Sequence, residues 1–286
     1  MKWSFLAWVW AWAVVAAADT PQAPEVAECG SPESLRAAIC DLLADFGPRY
    51  PAGDEFLDRL DRITPQVRAD AEGSRAAFRQ LQREALIANP LVSGAPVVFV
   101  ERPQYAPDHH NTGTDFQPGE ISAPAFRPGA AIRTVDFGRG GLVQTLLTVP
   151  DGVARDLDVH YDGGRIVFAM RRSVDDSCHI YELQRDGSGL RQLTRGQPAT
   201  DFDPAYLPNG RIVFASTRDL KYCGCNRHIQ ANLFLTDADG GNIRQISRNN
   251  LFDSRPSVAP DGRILYDRWE YVDRAYGPSF GLWTVN

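Results

Sequence analysis

One stretch occurs three times in this chain, as Gly164-Arg165-Ile166-Val167-Phe168, as Gly210-Arg211-Ile212-Val213-Phe214 and as Gly262-Arg263-Ile264-Leu265-Tyr266. The arginines of successive copies lie 46 and 52 residues apart, a spacing close to that of solenoids, propellers and other repeat proteins. Because one unit of this length cannot bury its apolar faces alone, the repeat predicts sheets that stack on copies of one another.

Each repeat also contains a second pair of strands, which follows a variable loop. In the first full copy the pair is His179–Leu183 and Leu190–Thr194, and in the next it is Asn232–Thr236 and Ile243–Ser247. Short apolar runs joined by Asp-Gly or Asn-Gly indicate β-hairpins, because these turn residues tolerate the positive φ of primed turns. We therefore expect four-stranded antiparallel sheets arranged as the blades of a β-propeller, with a β-sandwich as the alternative.

The N-terminal residues have the pattern of an export signal. Lys2 precedes an apolar stretch rich in tryptophan, and Ala16-Ala17-Ala18 precede Asp19. This pattern is typical of a secretory signal cleaved after Ala18, and an uncleaved membrane anchor is the alternative. We expect a periplasmic or secreted protein that meets a membrane only if this segment is retained.

Composition divides the rest of the chain into a tether, a helical region and a β region. Ser31, followed by Pro32, is predicted to cap the N-terminus of a first helix. A short helix is expected around Leu57. Thr64-Pro65 are predicted to begin a longer helix that ends at Asn89-Pro90. Strand character resumes at Val97. The predicted domains are a signal peptide at 1–18, a tether at 19–30, a helical region at 31–92 and a β-propeller at 93–286.

The propeller is expected to be incomplete at its C-terminal end. A hairpin within residues 131–149 belongs to an early blade, full blades span about 156–194 and 203–247, and a fourth blade begins after them. The chain ends at Asn286, where the earlier copies continue into a last strand. The net charge of −6 offers no basic surface for nucleic acid, so we expect no nucleic-acid partner.

Five cysteines in an exported chain raise the question of disulfides and metal ligands. Cys29 and Cys40 are predicted to form a local disulfide. Long links between the second and third strands of the blades contain the other candidates, Cys178, Cys223, Cys225 and His228. Thiolate and imidazole ligands suit zinc; the alternative is a disulfide from Cys178 to Cys223 or Cys225.

Other chemistry-bearing residues are fewer. His109 and His110 lie in a loop rich in proline and glycine, where they could ligate a metal or hydrogen-bond within the loop. The spacing from Cys223 to His228 does not match Cys-x-x-Cys-His, so we expect no covalent haem. Asp156 and Asp203 recur near the blade starts and are predicted to accept backbone N–H bonds. The sequence contains no phosphate-binding loop and no Gly-x-Ser-x-Gly motif, and no residue is predicted to be catalytic.

Two resemblances add to these inferences. Residues 203–218 (DPAYLPNGRIVFASTR) resemble the repeat of TolB-type periplasmic propellers. Much of residues 80–286 resembles exported bacterial proteins, abundant in planctomycetes, that carry the middle domain of the hydrazine synthase alpha subunit. The residues that carry this resemblance include Arg83–Leu86, Asp108–Asn111, Phe116–Glu120, His179–Glu182 and Arg268–Arg274.

The resemblances imply a binding or scaffold module rather than an enzyme that is catalytic on its own. A protein or a small ligand is the expected partner, bound on the loop-rich face of the propeller. The alternative is a subunit or fragment of a metal- or haem-dependent periplasmic redox enzyme, whose site would use the cysteines and histidines named above.

Overall fold

The computed structural model describes residues 30–104, 126–223, 229–270 and 279–286. The chain divides into two compact units, one up to Leu91 and one from Val92 to Asn286. The first described unit is helical and the second is β-structured. No helix within the described residues combines the length and apolar character needed to cross a membrane.

The first unit packs three helices around one apolar core. Ser31 caps the first helix as predicted, since its Oγ accepts a hydrogen bond from the Ser34 N–H at 3.2 Å. Tyr50 is buried in this core, and its hydroxyl donates to the Ala85 carbonyl at 2.9 Å. These helices are α1 (Pro32–Phe46), α2 (Gly53–Arg68) and α3 (Ser74–Ile87), with a 3-10 turn at Gly47–Arg49. A short helix α4 (Pro90–Ser93) follows them in the sequence and contributes no residue to this core. The core contains Leu35, Ile39, Phe56, Leu60, Phe78, Leu81 and Ala85.

The predicted helix start at Thr64-Pro65 is wrong. Helix α2 continues through Pro65, and the Thr64 hydroxyl donates to the Leu60 carbonyl at 2.6 Å. Pro65 lies in the last turn, where the loss of one backbone donor is tolerated more easily than in the helix centre. Helix α2 ends at Arg68, and Asp70 and Gly73, with φ of 50° and 76°, separate it from the next helix, which begins at Ser74.

The second unit contains four antiparallel sheets that follow one another along the chain. Sheets 2 and 3 have the four strands predicted, whereas sheets 1 and 4 have three among the described residues. Sheet 1 is β1 (Val97–Glu101), β2 (Ala130–Asp136) and β3 (Leu142–Val149); sheet 2 is β4 (Val153–Val159), β5 (Arg165–Arg171), β6 (His179–Gln184) and β7 (Arg191–Gln192). Sheet 3 is β8 (Asp201–Tyr206), β9 (Ile212–Ser216), β10 (Asn232–Thr236) and β11 (Arg244–Gln245); sheet 4 is β12 (Asp253–Val258), β13 (Ile264–Glu270) and β14 (Ser279–Val285).

The predicted hairpin turns are present, but they are not primed turns. In the β8–β9 turn the Leu207 N–H donates to the Arg211 carbonyl at 2.8 Å, which leaves a three-residue loop. Only Gly210 has a positive φ, of 82°, and the Asn209 side chain accepts a bond from the Arg211 N–H at 3.1 Å. A three-residue loop with glycine in the left-handed region needs positive φ at one residue only, unlike a type I′ turn.

The repeated central strands connect the sheets into a series. On β5, Ile166, Phe168 and Met170 belong to a core shared with sheet 1, whereas Val167 and Ala169 belong to a core shared with sheets 3 and 4. Successive strand residues point to opposite faces, so both faces of sheet 2 are covered by a neighbouring sheet.

The first strands of sheets 2, 3 and 4 lie side by side, with β8 packed against β4 and β12. Each has an irregular register at a residue with positive φ, namely Asp156, Asp203 and Arg255. The Asp156 carboxylate accepts a bond from the Asp203 N–H at 3.3 Å, and the Asp203 carboxylate accepts one from the Arg255 N–H at 3.0 Å. The predicted structural role of both aspartates is confirmed.

Candidate functional site

Of the six predicted metal ligands, only Cys178 and Cys223 fall within the described residues. The predictions for Cys225, His228, His109 and His110 concern positions outside them. Among the described residues, no three His, Cys, Asp or Glu side chains are placed to hold a metal ion.

Cys178 occupies a structural position of the repeat. Its side chain is fully buried in the core between sheets 2 and 3, and burial raises the pKa of its thiol far above the usual range. Its carbonyl accepts a bond from the Asp201 N–H at 2.8 Å, as the carbonyl of the equally buried Ala231 does from the Asp253 N–H at 3.0 Å. A residue that alanine replaces in the next sheet, and whose thiol resists ionisation, fits a packing role better than ligation.

Neither predicted disulfide is present among the described residues. Cys178 is a free thiol, so it is not bonded to Cys223 or Cys225, and Cys40 is an exposed free thiol. Cys29, the predicted partner of Cys40, lies outside the described residues.

A buried carboxylate organises the end of sheet 3 near Cys178. Asp201 is inaccessible to solvent and accepts bonds from the Ser216 hydroxyl and the Arg218 guanidinium, both at 2.7 Å, with His179 Nδ1 at 3.4 Å. Asp253 is held similarly in sheet 4 by Arg268 at 3.0 Å. Because buried charges are stable only when paired, these contacts serve to hold the links between strands in place.

A pocket of about 310 Å³ opens at the opposite end of the inner strands, where the tight turns lie. It lies where the ends of β4, β8 and β12 meet, so three sheets contribute to it. The lining residues are Leu157, Asp158, Val159, Tyr161, Pro204, Ala205, Tyr206, Pro256, Ser257 and Val258.

Asp158 is the only acidic or basic side chain in this lining. It is partly buried, and its carboxylate accepts the Tyr206 N–H at 2.7 Å. Burial raises the pKa of Asp158 above its usual value, while backbone bonds from Tyr206 and Val159 and the nearby His160 imidazole oppose that rise. Among the described residues no lysine or arginine forms an ion pair with it.

Tyr206 is held rigidly beside Asp158. Its hydroxyl donates to Glu182 Oε1 at 2.8 Å, and Glu182 also pairs with Arg165 at 3.4 Å and Arg191 at 2.7 Å. The edge of the His160 ring contacts the Tyr206 ring with centroids 4.8 Å apart. Burial, followed by the Glu182 carboxylate, raises the pKa of Tyr206 far above its usual range, so its hydroxyl remains a donor.

Tyr161 forms the outer wall of the pocket. Its ring is 62% exposed, and its hydroxyl donates to the Tyr206 carbonyl at 3.2 Å. The pocket therefore combines one carboxylate and two tyrosine rings with prolines and aliphatic side chains. Such a lining suits binding, since a few oriented polar groups among apolar walls fix how a ligand sits.

Sequence reasoning missed this pocket, although it singled out neighbouring residues. Asp156 and Asp203 were recognised as repeat positions, whereas Asp158 and Tyr161 were not. A signal was present in the sequence, because Tyr161 and Tyr206 both stand shortly before a hairpin turn in consecutive repeats. Aromatic residues beside equivalent turns indicate a shared surface once the sheets are known to stack.

Comparison with known proteins gives similarity at the level of structure alone. Hydrazine synthase from Kuenenia stuttgartiensis matches with a TM-score of 0.51 and 21% identity, over 66% of this chain and 30% of that chain. TolB from Acinetobacter baumannii matches with a TM-score of 0.40 and 17% identity, over 54% of this chain and 34% of that one. A putative TolB from Agrobacterium tumefaciens has a TM-score of 0.40 and 21% identity, over 48% and 45% of the two chains.

No protein-family model matches the chain, and no curated protein matches it in sequence. The chain spans less than half the length of the three structures named. At 21% identity, the likeness to hydrazine synthase concerns the fold alone.

Proposed function

We propose that this protein is an exported binding module built as a partial, TolB-like β-propeller of the hydrazine-synthase-alpha-like group. Four consecutive antiparallel sheets that share cores in series support the architecture. The signal-like pattern of residues 1–18 supports export to the periplasm or the exterior. The ligand is a small molecule or a segment of another protein.

The observation that carries the binding role is the pocket at the tight-turn end of β4, β8 and β12. Three sheets supply its walls. The loop-rich face predicted from the sequence is less well supported, because its links at 224–228 and 271–278 lie outside the described residues. We therefore assign binding to the pocket.

The test is to fill the pocket and measure loss of binding. Ser257 is an exposed lining residue, so Ser257→Trp should occupy the pocket without disturbing a core. The matched control is Thr145→Trp, on an exposed position of β3.

A chemically diverse fragment library is screened against both variants and the unmodified full chain by saturation-transfer NMR. The expected result is a set of fragments that bind the unmodified protein and Thr145→Trp but not Ser257→Trp. Fragments that bind all three proteins equally, or an absence of binders, would overturn the assignment.

A further inference from the structure

The charge balance around the pocket is uneven. Glu182, behind Tyr206, is neutralised by Arg165 and Arg191, so these two guanidinium groups are already engaged. Asp158 differs, because its bonds come from the backbone N–H groups of Tyr206 and Val159. Its negative charge therefore faces the pocket without a lysine or arginine partner among the described residues.

The aromatic part of the lining can also attract a positively charged ligand. The faces of tyrosine rings carry partial negative charge and attract cations within about 6 Å. Tyr161 lies near the Asp158 carboxylate and is 62% exposed, whereas Tyr206 is buried and its ring centroid already lies 5.8 Å from the Arg165 guanidinium. A carboxylate beside an exposed tyrosine ring can bind a planar, donor-rich cation through charge-assisted hydrogen bonds and ring contact together.

We propose that the pocket binds a guanidinium or alkylammonium group through Asp158 and Tyr161. This inference rests on the proposed binding role and names its ligand class. The group could belong to a small free cation or to a basic side chain of a protein, since both present the same chemistry to the pocket. A cation near Asp158 would also offset the unfavourable burial of that carboxylate.

The experiment uses n-butylguanidinium as the probe and n-butylurea as its neutral counterpart, titrated into the full chain by calorimetry. We expect n-butylguanidinium to bind at least about tenfold more tightly than n-butylurea, because a hydrogen bond to a charged group is worth more than a neutral one. Asp158→Asn should remove this preference while keeping an acceptor for the Tyr206 N–H. The matched control Asp186→Asn removes an exposed charge from a turn of the same sheet and should leave the preference intact.

Tyr161→Ala provides a second variant that does not touch the β4–β8 hydrogen bond from Tyr206 to Asp158. It should weaken n-butylguanidinium more than n-butylurea, because ring contact favours the cation. Equal binding of the two probes, or a preference that survives Asp158→Asn, would overturn the cation inference.

The outcome for the binding role is separate from the outcome for the ligand class. If the fragments that Ser257→Trp displaces are neutral or anionic, the binding role of the pocket is supported and only the cationic ligand class is contradicted. A short peptide with one arginine, compared with its glutamine counterpart, distinguishes the two sources. Tighter binding than n-butylguanidinium indicates a protein segment, and equal binding indicates a small free cation; either result supports the inference.

Discussion

Cys178 and Ala231 occupy equivalent positions in consecutive sheets. Comparing them shows which contacts come from the backbone of this position and which from the cysteine side chain. Both are fully buried, and both carbonyls accept an N–H from the first aspartate of the following sheet. The sulfur of Cys178 therefore adds packing volume to a position whose backbone does the structural work. At Asp156 and Asp203, by contrast, the side chain itself has the structural role. Each carboxylate accepts a backbone hydrogen bond from the first strand of the next sheet.

The first prediction is that Cys178→Ala is tolerated. Its free energy of unfolding should fall by about 1 kcal/mol or less, whereas Ile180→Ala in the same core should lose about 2–5 kcal/mol. Urea denaturation of both variants provides the measurement. A loss for Cys178→Ala comparable to that for Ile180→Ala, or loss of a bound metal on substitution, would restore the ligand hypothesis.

A second prediction concerns the pH dependence of stability at Asp203. Burial, with the nearby Asp156 carboxylate, raises the pKa of Asp203 to about 7, while Arg155 and the Arg255 N–H oppose that rise. Between about pH 4 and pH 7 the folded protein then binds more protons than the unfolded chain, so this group lowers stability as pH rises.

Asp203→Asn should therefore increase the free energy of unfolding at pH 8 by about 1–3 kcal/mol relative to its effect at pH 4. Asparagine tolerates the φ of 50° and keeps the acceptor for the Arg255 N–H. The control, Asp186→Asn, should leave the pH dependence between pH 4 and pH 8 almost unchanged, because bonds from Ser188 lower the pKa of Asp186 and its titration falls below this range. Denaturation midpoints between pH 4 and pH 8 decide the matter; parallel curves for Asp203→Asn and the unmodified protein would contradict the prediction.

At the scale of elements, glycine-containing turns serve two different purposes. In the β8–β9 turn Gly210 has a positive φ, and a Cβ there would meet no atom within 4 Å. Between β10 and β11, Gly240 has a similar φ, but a Cβ would overlap the Leu193 carbonyl oxygen of sheet 2. Gly187 approaches Leu146 of sheet 1 in the same way. The outer turns thus pack directly against the backbone of the preceding sheet.

We predict that Gly240→Ala destabilises the protein more than Gly210→Ala. Both variants place alanine at an unfavourable φ, which costs about 1–2 kcal/mol, but only Gly240→Ala also pushes two sheets apart. The difference in free energy of unfolding should exceed about 1 kcal/mol, because overpacking adds about 1–3 kcal/mol. Equal losses in chemical denaturation would show that the contact with Leu193 is not a close one.

At the scale of the whole molecule, the stacking of the sheets determines where the pocket opens. The four sheets share cores in series, and their inner strands leave the pocket open at one end. If the signal-like segment is removed on export, the pocket meets ligands outside the cytoplasm, where the net negative charge of the chain favours cationic partners.

The corresponding prediction is cleavage after Ala18. Expression of the full chain with a C-terminal tag in a Gram-negative bacterium should give a periplasmic product whose N-terminus, by mass spectrometry, is Asp19. Replacing Ala16 and Ala18 by arginine removes the small residues that cleavage requires and should leave the precursor intact. A product that keeps Met1 and stays with the membrane would support the anchor alternative.

The sequence by itself determined the four-sheet architecture, the helical N-terminal region and the structural role of Asp156 and Asp203. These follow from local signals, since apolar runs and Asp-Gly or Asn-Gly turns act within about ten residues. Tertiary structure alone decided the rest. The pocket depends on β4, β8 and β12, which lie about 50 residues apart in sequence, and the burial that makes Cys178 a core residue and raises the pKa of Asp158 arises only when the sheets stack.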